Sequence, residues 1–177
     1  MNYKALNNLA TMFFDSAEHF PQKPFLWAKR NGKFISRTYS ETKNKVQLLA
    51  DSLHQLGVEK GDRVVVVSEN RPEWVIADLA IISLGGITVP AYTTNTIDDH
   101  LYILDHSEAK IAIVSGDKLA MRLMNAMSKS ASCKTIISIE ELSSDVDRSL
   151  KHLDWSSLLA PREKLTTDVL KEAINLK

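Results

Sequence analysis

The stretch Arg63–Ser83, "RVVVVSENRPEWVIADLAIIS", decides the fold. Val64 to Val67 do not alternate with polar residues, so both faces of this strand are expected to be buried, as in a parallel sheet. A polar turn follows, and Pro72 suits the first turn of a helix, where its missing amide costs nothing. Arg71, just before the proline, is pushed towards extended backbone. Glu73 to Leu84 is apolar almost all round, which predicts a central helix. In α/β proteins a strand-to-helix junction of this kind is a common ligand position, so the question is whether this one binds or only turns the chain.

The pattern repeats outward from that unit. "GGITVPAY" reads as a strand and "TIDDHLYILDHSE" as a helix, capped by Thr96 with Asp98 and Asp99 in its first turn, where the helix dipole favours acids. "AKIAIVS", "GDKLAMRLMNAMSKS" and "KTIISIE" continue as strand, helix and strand, with Asp117 read as a helix cap. The resulting β-α-β-α-β-α-β order predicts an α/β fold with a doubly wound parallel sheet and flanking helices. Upstream, Leu6, Leu9, Ala10, Phe13, Phe14 and Ala17 share one face of a helix over Ala5 to Phe20. "FLWAKRNGKFISRTY" predicts an N-terminal β-hairpin turning at Asn31-Gly32. Thr38 and Glu41 have capping-box spacing, Val46, Leu49, Ala50, Leu53 and Leu56 form the stripe of the next helix, and Gly57 suits its C-terminal cap. After Glu140 the pattern weakens, with Trp155, Leu158 and Leu159 as anchors and a last helix over "TTDVLKEAINLK". The organisation expected is residues 1–140 as one α/β subdomain and 141–177 as a connecting segment.

Composition excludes several classes. The 177 residues carry 22 Lys and Arg against 22 Asp and Glu, scattered without an evident basic patch, so nucleic acid is not the expected partner. The single cysteine, Cys133, forms no internal disulfide and has no histidine near it in sequence, which argues against a nucleophile. No signal peptide is evident at the N-terminus, and Trp74 to Tyr92, with Asp78 and Pro90 inside it, is a poor transmembrane segment.

The phosphate motifs G-x-G-x-x-G and G-x-x-x-x-G-K-[ST] are both absent. Gly85-Gly86 ends a helix, which points to a cap rather than a phosphate cradle. Ser115-Gly116-Asp117 offers backbone amides to an anion, but Asp117 repels one. His19, His54, His100, His106 and His152 make no zinc spacing. Asp105-His106 are helix neighbours that face apart. Asp98 and Asp99 read as dipole-complementing surface acids, and Met121, Met124 and Met127 as a core-filling stripe. No nucleophile, base and orienting group assemble.

The residues "LADSLHQLGVEKGDRVVVVSENRPEWVIADLAIISLGGITVPAYTTNT", then "DHLYILDHSEAKIAIVSGDKLAMRL", with "NGKFISRTYSE" ahead of them, resemble the N-terminal part of adenylate-forming acyl-CoA synthetases, the AMP-binding ligases. The set G-x-x-K-G-D-R-V, N-R-P-E-W, G-G-I-T-V-P and L-x-H-S-E-A-K carries the likeness, which spans Phe13 to Trp155 and is greatest to the long-chain fatty acyl type. The resemblance implies a ligase that joins a fatty acid to AMP from ATP, with Mg2+, and then to coenzyme A. It implies that Asn70 and Arg71 shape a turn and Trp74 packs a helix, so the opening junction is structural. It further implies that the loop Tyr92, Thr93, Thr94 lies near the path of coenzyme A.

The family's Ser/Thr/Gly-rich phosphate loop, its adenine and ribose contacts and its C-terminal lysine lie beyond residue 177. The chain is therefore expected to be an N-terminal portion with no catalytic residue, no metal ligand and no tight nucleotide binding of its own. Its expected partners are the fatty acid, the C-terminal part of the same chain and a second copy in a homodimer. Its expected location is the cytoplasm, or a membrane periphery. The alternative is a binding or scaffolding module that kept the fold and lost catalysis.

Overall fold

In a computed structural model, which describes residues 8–143 and 147–176, the chain forms two compact units, each assembled from separated stretches. One unit comprises the chain up to Lys60, Arg71–Gly86 and the stretch from Pro161 onward. The other comprises Gly61–Asn70 and Ile87–Ala160.

The first unit begins with helix α1 (Leu9–His19), capped by Asn8, whose side chain accepts from the Thr11 amide. Ala10, Phe13, Phe14 and Ala17 are buried, as the stripe requires. Leu9 is 67% exposed instead, because it is the first helical residue and projects past the end of the packed face. Leu6 lies outside the described residues. Strands β1 (Pro24–Arg30) and β2 (Lys33–Thr38) pair antiparallel. Asn31 and Gly32 turn them with φ of 49° and 77°, the positive values that a two-residue hairpin turn of this hand demands. Phe25 stacks on Tyr39 at 4.4 Å and meets Phe13 at 5.4 Å, which fastens the hairpin base to α1.

Helix α2 (Tyr39–Gln55) starts with the expected box: Glu41 N–H donates to Thr38 Oγ1 at 3.2 Å, and Thr38 N–H to Glu41 Oε2 at 2.7 Å. Val46, Leu49, Ala50 and Leu53 are fully buried, Leu56 is half-buried and Gly57 takes φ 87°. Helix α3 (Pro72–Ser83) packs on α1 and α2, and helix α7 (Val169–Ile174) packs on all three. Asn8 Nδ2 donates to Ala173 O at 2.9 Å, joining the two ends of the described chain.

The second unit is a five-stranded parallel sheet of β3 (Arg63–Val67), β4 (Ile87–Ala91), β5 (Ile111–Val114), β6 (Thr135–Ser138) and β7 (Lys151–Asp154), in the order β4-β3-β5-β6-β7. Val64 to Val67 are all fully buried, so the reading of the valine run holds. Pro90 sits on the edge strand β4, where a missing donor is tolerated. Helices α4 (Ile97–Ser107) and α5 (Asp117–Lys129) pack together and share a core with Val65, Val67, Ala112, Val114 and Ile136. Arg63 donates through Nε to Ser107 O at 2.5 Å and pairs with Glu108 at 2.9 Å, holding the C-terminal end of α4 against the start of β3.

Three expectations change here. Strand β7, followed by the single turn α6 (Trp155–Leu158), occupies the polar stretch after Glu140; it is an edge strand and needs few apolar residues. Asp117 is not a cap: Gly116 holds that position, and the Asp117 carboxylate accepts from Ser143 N at 3.0 Å and Ser143 Oγ at 2.5 Å. Met121 is 56% exposed while Met124 and Met127 are buried, because Met121 falls outside the arc of α5 that holds Leu119, Ala120, Leu123 and Met127.

Candidate functional site

In open parallel sheets the carboxyl ends of the strands are where ligands gather. In the sheet unit this rim has two chemically different halves. At the ends of β6 and β7 a cavity of about 260 Å³ is lined by Ser138, Glu140, Glu141, Asp154, Trp155 and Ser156. Its acids face one region, and a Cβ added at Gly116 would lie 2.6 Å from Glu140 Oε2, so a carboxylate presses on the turn whose amides would otherwise greet an anion. A phosphate is repelled from this half. His152 Nε2 lies 2.8 Å from Ser138 Oγ, on the wall of the same region.

The other half is the loop after β4. Tyr92, Thr93 and Thr94 form one turn, closed by Asn95 N–H to Tyr92 O at 3.1 Å. Tyr92 is 81% exposed, Thr94 is exposed and Thr93 half-buried, so the three residues stand together on the surface. Thr96 and Asp99 then close a second capping box, with Thr96 N–H donating to Asp99 Oδ2 at 2.9 Å. From α5, Arg122 donates to Asn95 O at 3.0 Å and props the loop from behind. His100 on α4 is buried, and its Nδ1 has no hydrogen-bond partner among the described residues. Burial, and then the charge of Arg122, lower its pKa, so the ring is neutral at pH 7. This half is rich in hydroxyls, with Arg122 behind the loop and the acids Asp98 and Asp99 in the first turn of α4, and Arg122 is the member that sequence reasoning missed.

The junction that opened the sequence analysis gathers charge. Glu73 is buried, receives Arg71 Nε at 2.9 Å and Arg37 NH2 at 3.1 Å, and has Arg30 at 3.7 Å. Burial raises its pKa, and the hydrogen bond from Arg71, its own backbone amide and the charges of Arg71 and Arg37 outweigh that, leaving it below the ordinary glutamate value. Trp74 is half-buried. Cys133 is fully buried and its thiol is pushed up to about 12, chiefly by desolvation, which removes it as a nucleophile. Among the described residues no group of three or more His, Cys, Asp and Glu is placed to hold a metal ion. No described helix is long and apolar enough to cross a membrane.

A parallel sheet with a helical unit and an antiparallel hairpin defines an α/β architecture shared with adenylate-forming ligases. A benzoate CoA ligase from Burkholderia xenovorans LB400 superposes with a TM-score of 0.70 over 91% of this chain and 30% of that one, at 27% identity. The AMP-binding enzyme family matches residues 13–170, and the chain belongs to that family. Among curated proteins it is similar to the long-chain-fatty-acid–CoA ligase FadD15 of Mycobacterium tuberculosis, 34% identical over 64% of this chain and 19% of that protein. It is also similar to long chain acyl-CoA synthetase 3 of Arabidopsis thaliana, 30% identical over 73% of this chain and 20% of that protein. The chain thus spans about a fifth of the length of these relatives.

Proposed function

We propose that this chain is the N-terminal portion of an AMP-forming ligase that activates a long-chain fatty acid and passes it to coenzyme A. The observation that carries the proposal is the family match over residues 13–170, together with curated relatives whose names specify long-chain fatty acids. In the reaction proposed, a fatty carboxylate oxygen attacks the α-phosphorus of ATP and pyrophosphate leaves. The thiol of coenzyme A, losing its proton, then attacks the acyl carbon and AMP leaves. Magnesium, held by parts of the enzyme outside this chain, neutralises phosphate charge.

This chain's own contribution is scaffold and one wall. Residues 141–177 lead towards the phosphate-binding loop. Tyr92, Thr93 and Thr94, whose loop Arg122 props, line the route of coenzyme A; their grouping as hydroxyls at the surface beyond a strand end supports that role, since hydroxyls hydrogen-bond the polar groups of such an acceptor. By itself the chain makes no acyl-CoA, and its setting is the cytoplasm or a membrane periphery. The test is the triple substitution of Tyr92, Thr93 and Thr94 by alanine in the full-length ligase. Since the residues are surface groups, the fold survives, and the expected result is a KM for coenzyme A raised roughly tenfold, one hydrogen bond's worth, with the KM for ATP unchanged. An unchanged KM for coenzyme A would overturn the assignment.

A further inference from the structure

Charge is balanced over the whole chain but not along it. Residues 21–40 hold Lys23, Lys29, Arg30, Lys33 and Arg37 and no acid, so the rest of the chain is net negative. The fold puts Lys29, Arg30, Lys33 and Arg37 on the β1–β2 hairpin, with Arg30 and Arg37 near Glu73 and Lys29 and Lys33 exposed, beside three large apolar side chains left in water: Trp27 at 57% exposure, Phe34 at 70% and Ile35 at 53%. The register assigns their faces. Trp27 opposes Ser36 and Lys29 opposes Phe34 on one face; Ala28 opposes Ile35 and Arg30 opposes Lys33 on the other. Apolar and basic groups therefore alternate on both sides of a thin two-stranded blade that ends at the Asn31-Gly32 turn.

From this geometry we infer that the hairpin docks on an anionic lipid bilayer. Indole and phenyl rings favour the headgroup level, and lysine and arginine stems lie along apolar surface while their charges reach phosphate. A blade with apolar groups on both faces suits edge-on, shallow insertion into a fluid, two-sided medium. A second copy docked hairpin to hairpin would set the exposed Lys29 and Lys33 against their own like charges. A nucleic acid would gain stacking from one face only, since Ile35 offers no ring. At the base of the hairpin a cavity of about 360 Å³ opens between Arg30, Ile35, Arg37, Glu41, Lys45 and Pro72. Lys45 makes no hydrogen bond or ion pair among the described residues, while the Glu41 carboxylate is engaged in the Thr38 cap. Arg30, 3.7 Å from Glu73, and Lys45, attracted by Glu73 and Glu41, border the cavity, so the charge offered outward to headgroup phosphate is that of the exposed Lys29 and Lys33. This inference stands without the ligase reading, because it concerns a surface and not a reaction.

The test mixes the 177-residue chain with phosphatidylcholine vesicles and with vesicles containing phosphatidylglycerol, followed by sedimentation and tryptophan emission. Trp155 is buried and Trp74 half-buried, so the exposed Trp27 reports docking. Expected are binding to the anionic vesicles that falls with added salt, a blue shift absent in Trp27→Phe, and little binding to phosphatidylcholine alone. Replacing Lys29 and Lys33 by alanine, both exposed, weakens binding roughly 25-fold at about fivefold per charge, with circular dichroism unchanged. Trp27→Ala with Phe34→Ala weakens it about tenfold. Equal binding by the lysine variant, no preference for anionic lipid, or an equal affinity for a single-stranded oligonucleotide would each overturn the proposal.

Discussion

Replacing Asp51 by asparagine should be among the most damaging single changes to the helical unit, although the side chain keeps its shape. Asp51 is fully buried on α2 and its two oxygens serve different donors. Oδ1 accepts from Thr166 N at 2.7 Å, Thr166 Oγ1 at 2.6 Å and Thr167 N at 2.9 Å. Oδ2 accepts from Arg162 NH1 at 2.5 Å and Gln55 Nε2 at 2.8 Å. One carboxylate thus holds the stretch around residues 162–167 to a helix more than a hundred residues earlier in the chain. An asparagine keeps one acceptor and turns an amide NH2 towards Arg162 and Gln55, both donors. Breaking a buried charge pair from one side costs about 3–5 kcal/mol, and Arg162, a quarter exposed, can reach water, so we place the loss near the lower end, about 3 kcal/mol.

The pH dependence supplies a second signature. Burial pushes the Asp51 carboxyl up, but hydrogen bonds from the Thr166 side chain, the Thr167 and Thr166 amides and Arg162 outweigh it, so its folded pKa is below the ordinary aspartate value. A depressed carboxyl stabilises the fold above its unfolded pKa of about 3.9 and loses that contribution as pH falls through the folded pKa. Urea unfolding of the wild type and Asp51→Asn should therefore differ by about 3 kcal/mol at pH 7, and the gap should narrow below about pH 4. A gap under 1 kcal/mol at pH 7, or one that does not narrow in acid, refutes the reasoning.

Glu73→Gln leaves Arg30, Arg37 and Arg71 crowded around a neutral group; the expected loss is about 3 kcal/mol by urea unfolding at pH 7. It should also shrink in acid, because Glu73 too is held below its ordinary value. Cys133, buried with a thiol at about 12, should not react with a thiol-specific disulfide reagent at pH 8 until the chain is unfolded in urea; prompt reaction of the native chain would contradict its placement.

What could be read from the sequence follows from how local each signal is. The Val64–Val67 run, the Thr38–Glu41 box, the Asn31-Gly32 turn and the stripe of α2 are set by residues within a few positions of one another, and the structure shows each. Strand β7 was hidden because its Lys-His-Leu-Asp pattern is that of a half-exposed edge. Leu9 and Met121 mislead because a periodic stripe says nothing about where the neighbouring elements end. Tyr92, Thr93 and Thr94 are singled out by the resemblance alone, whereas Arg122 reaches their loop from α5 and leaves no local trace. The Asp51 clasp joins positions more than a hundred residues apart and has no sequence signal at all. The basic hairpin was visible as a stretch of twenty residues without an acid, and a count over the whole chain averaged it away.

The central claim is that this chain belongs to the AMP-binding family while the nucleotide site lies outside it, and calorimetric titration of the 177-residue chain with Mg–ATP tests that most directly. The account predicts no saturable heat at millimolar nucleotide, a binding free energy weaker than about −4 kcal/mol. Saturable binding at micromolar concentration would contradict it and return the nucleotide site to the carboxyl-end rim of the sheet unit.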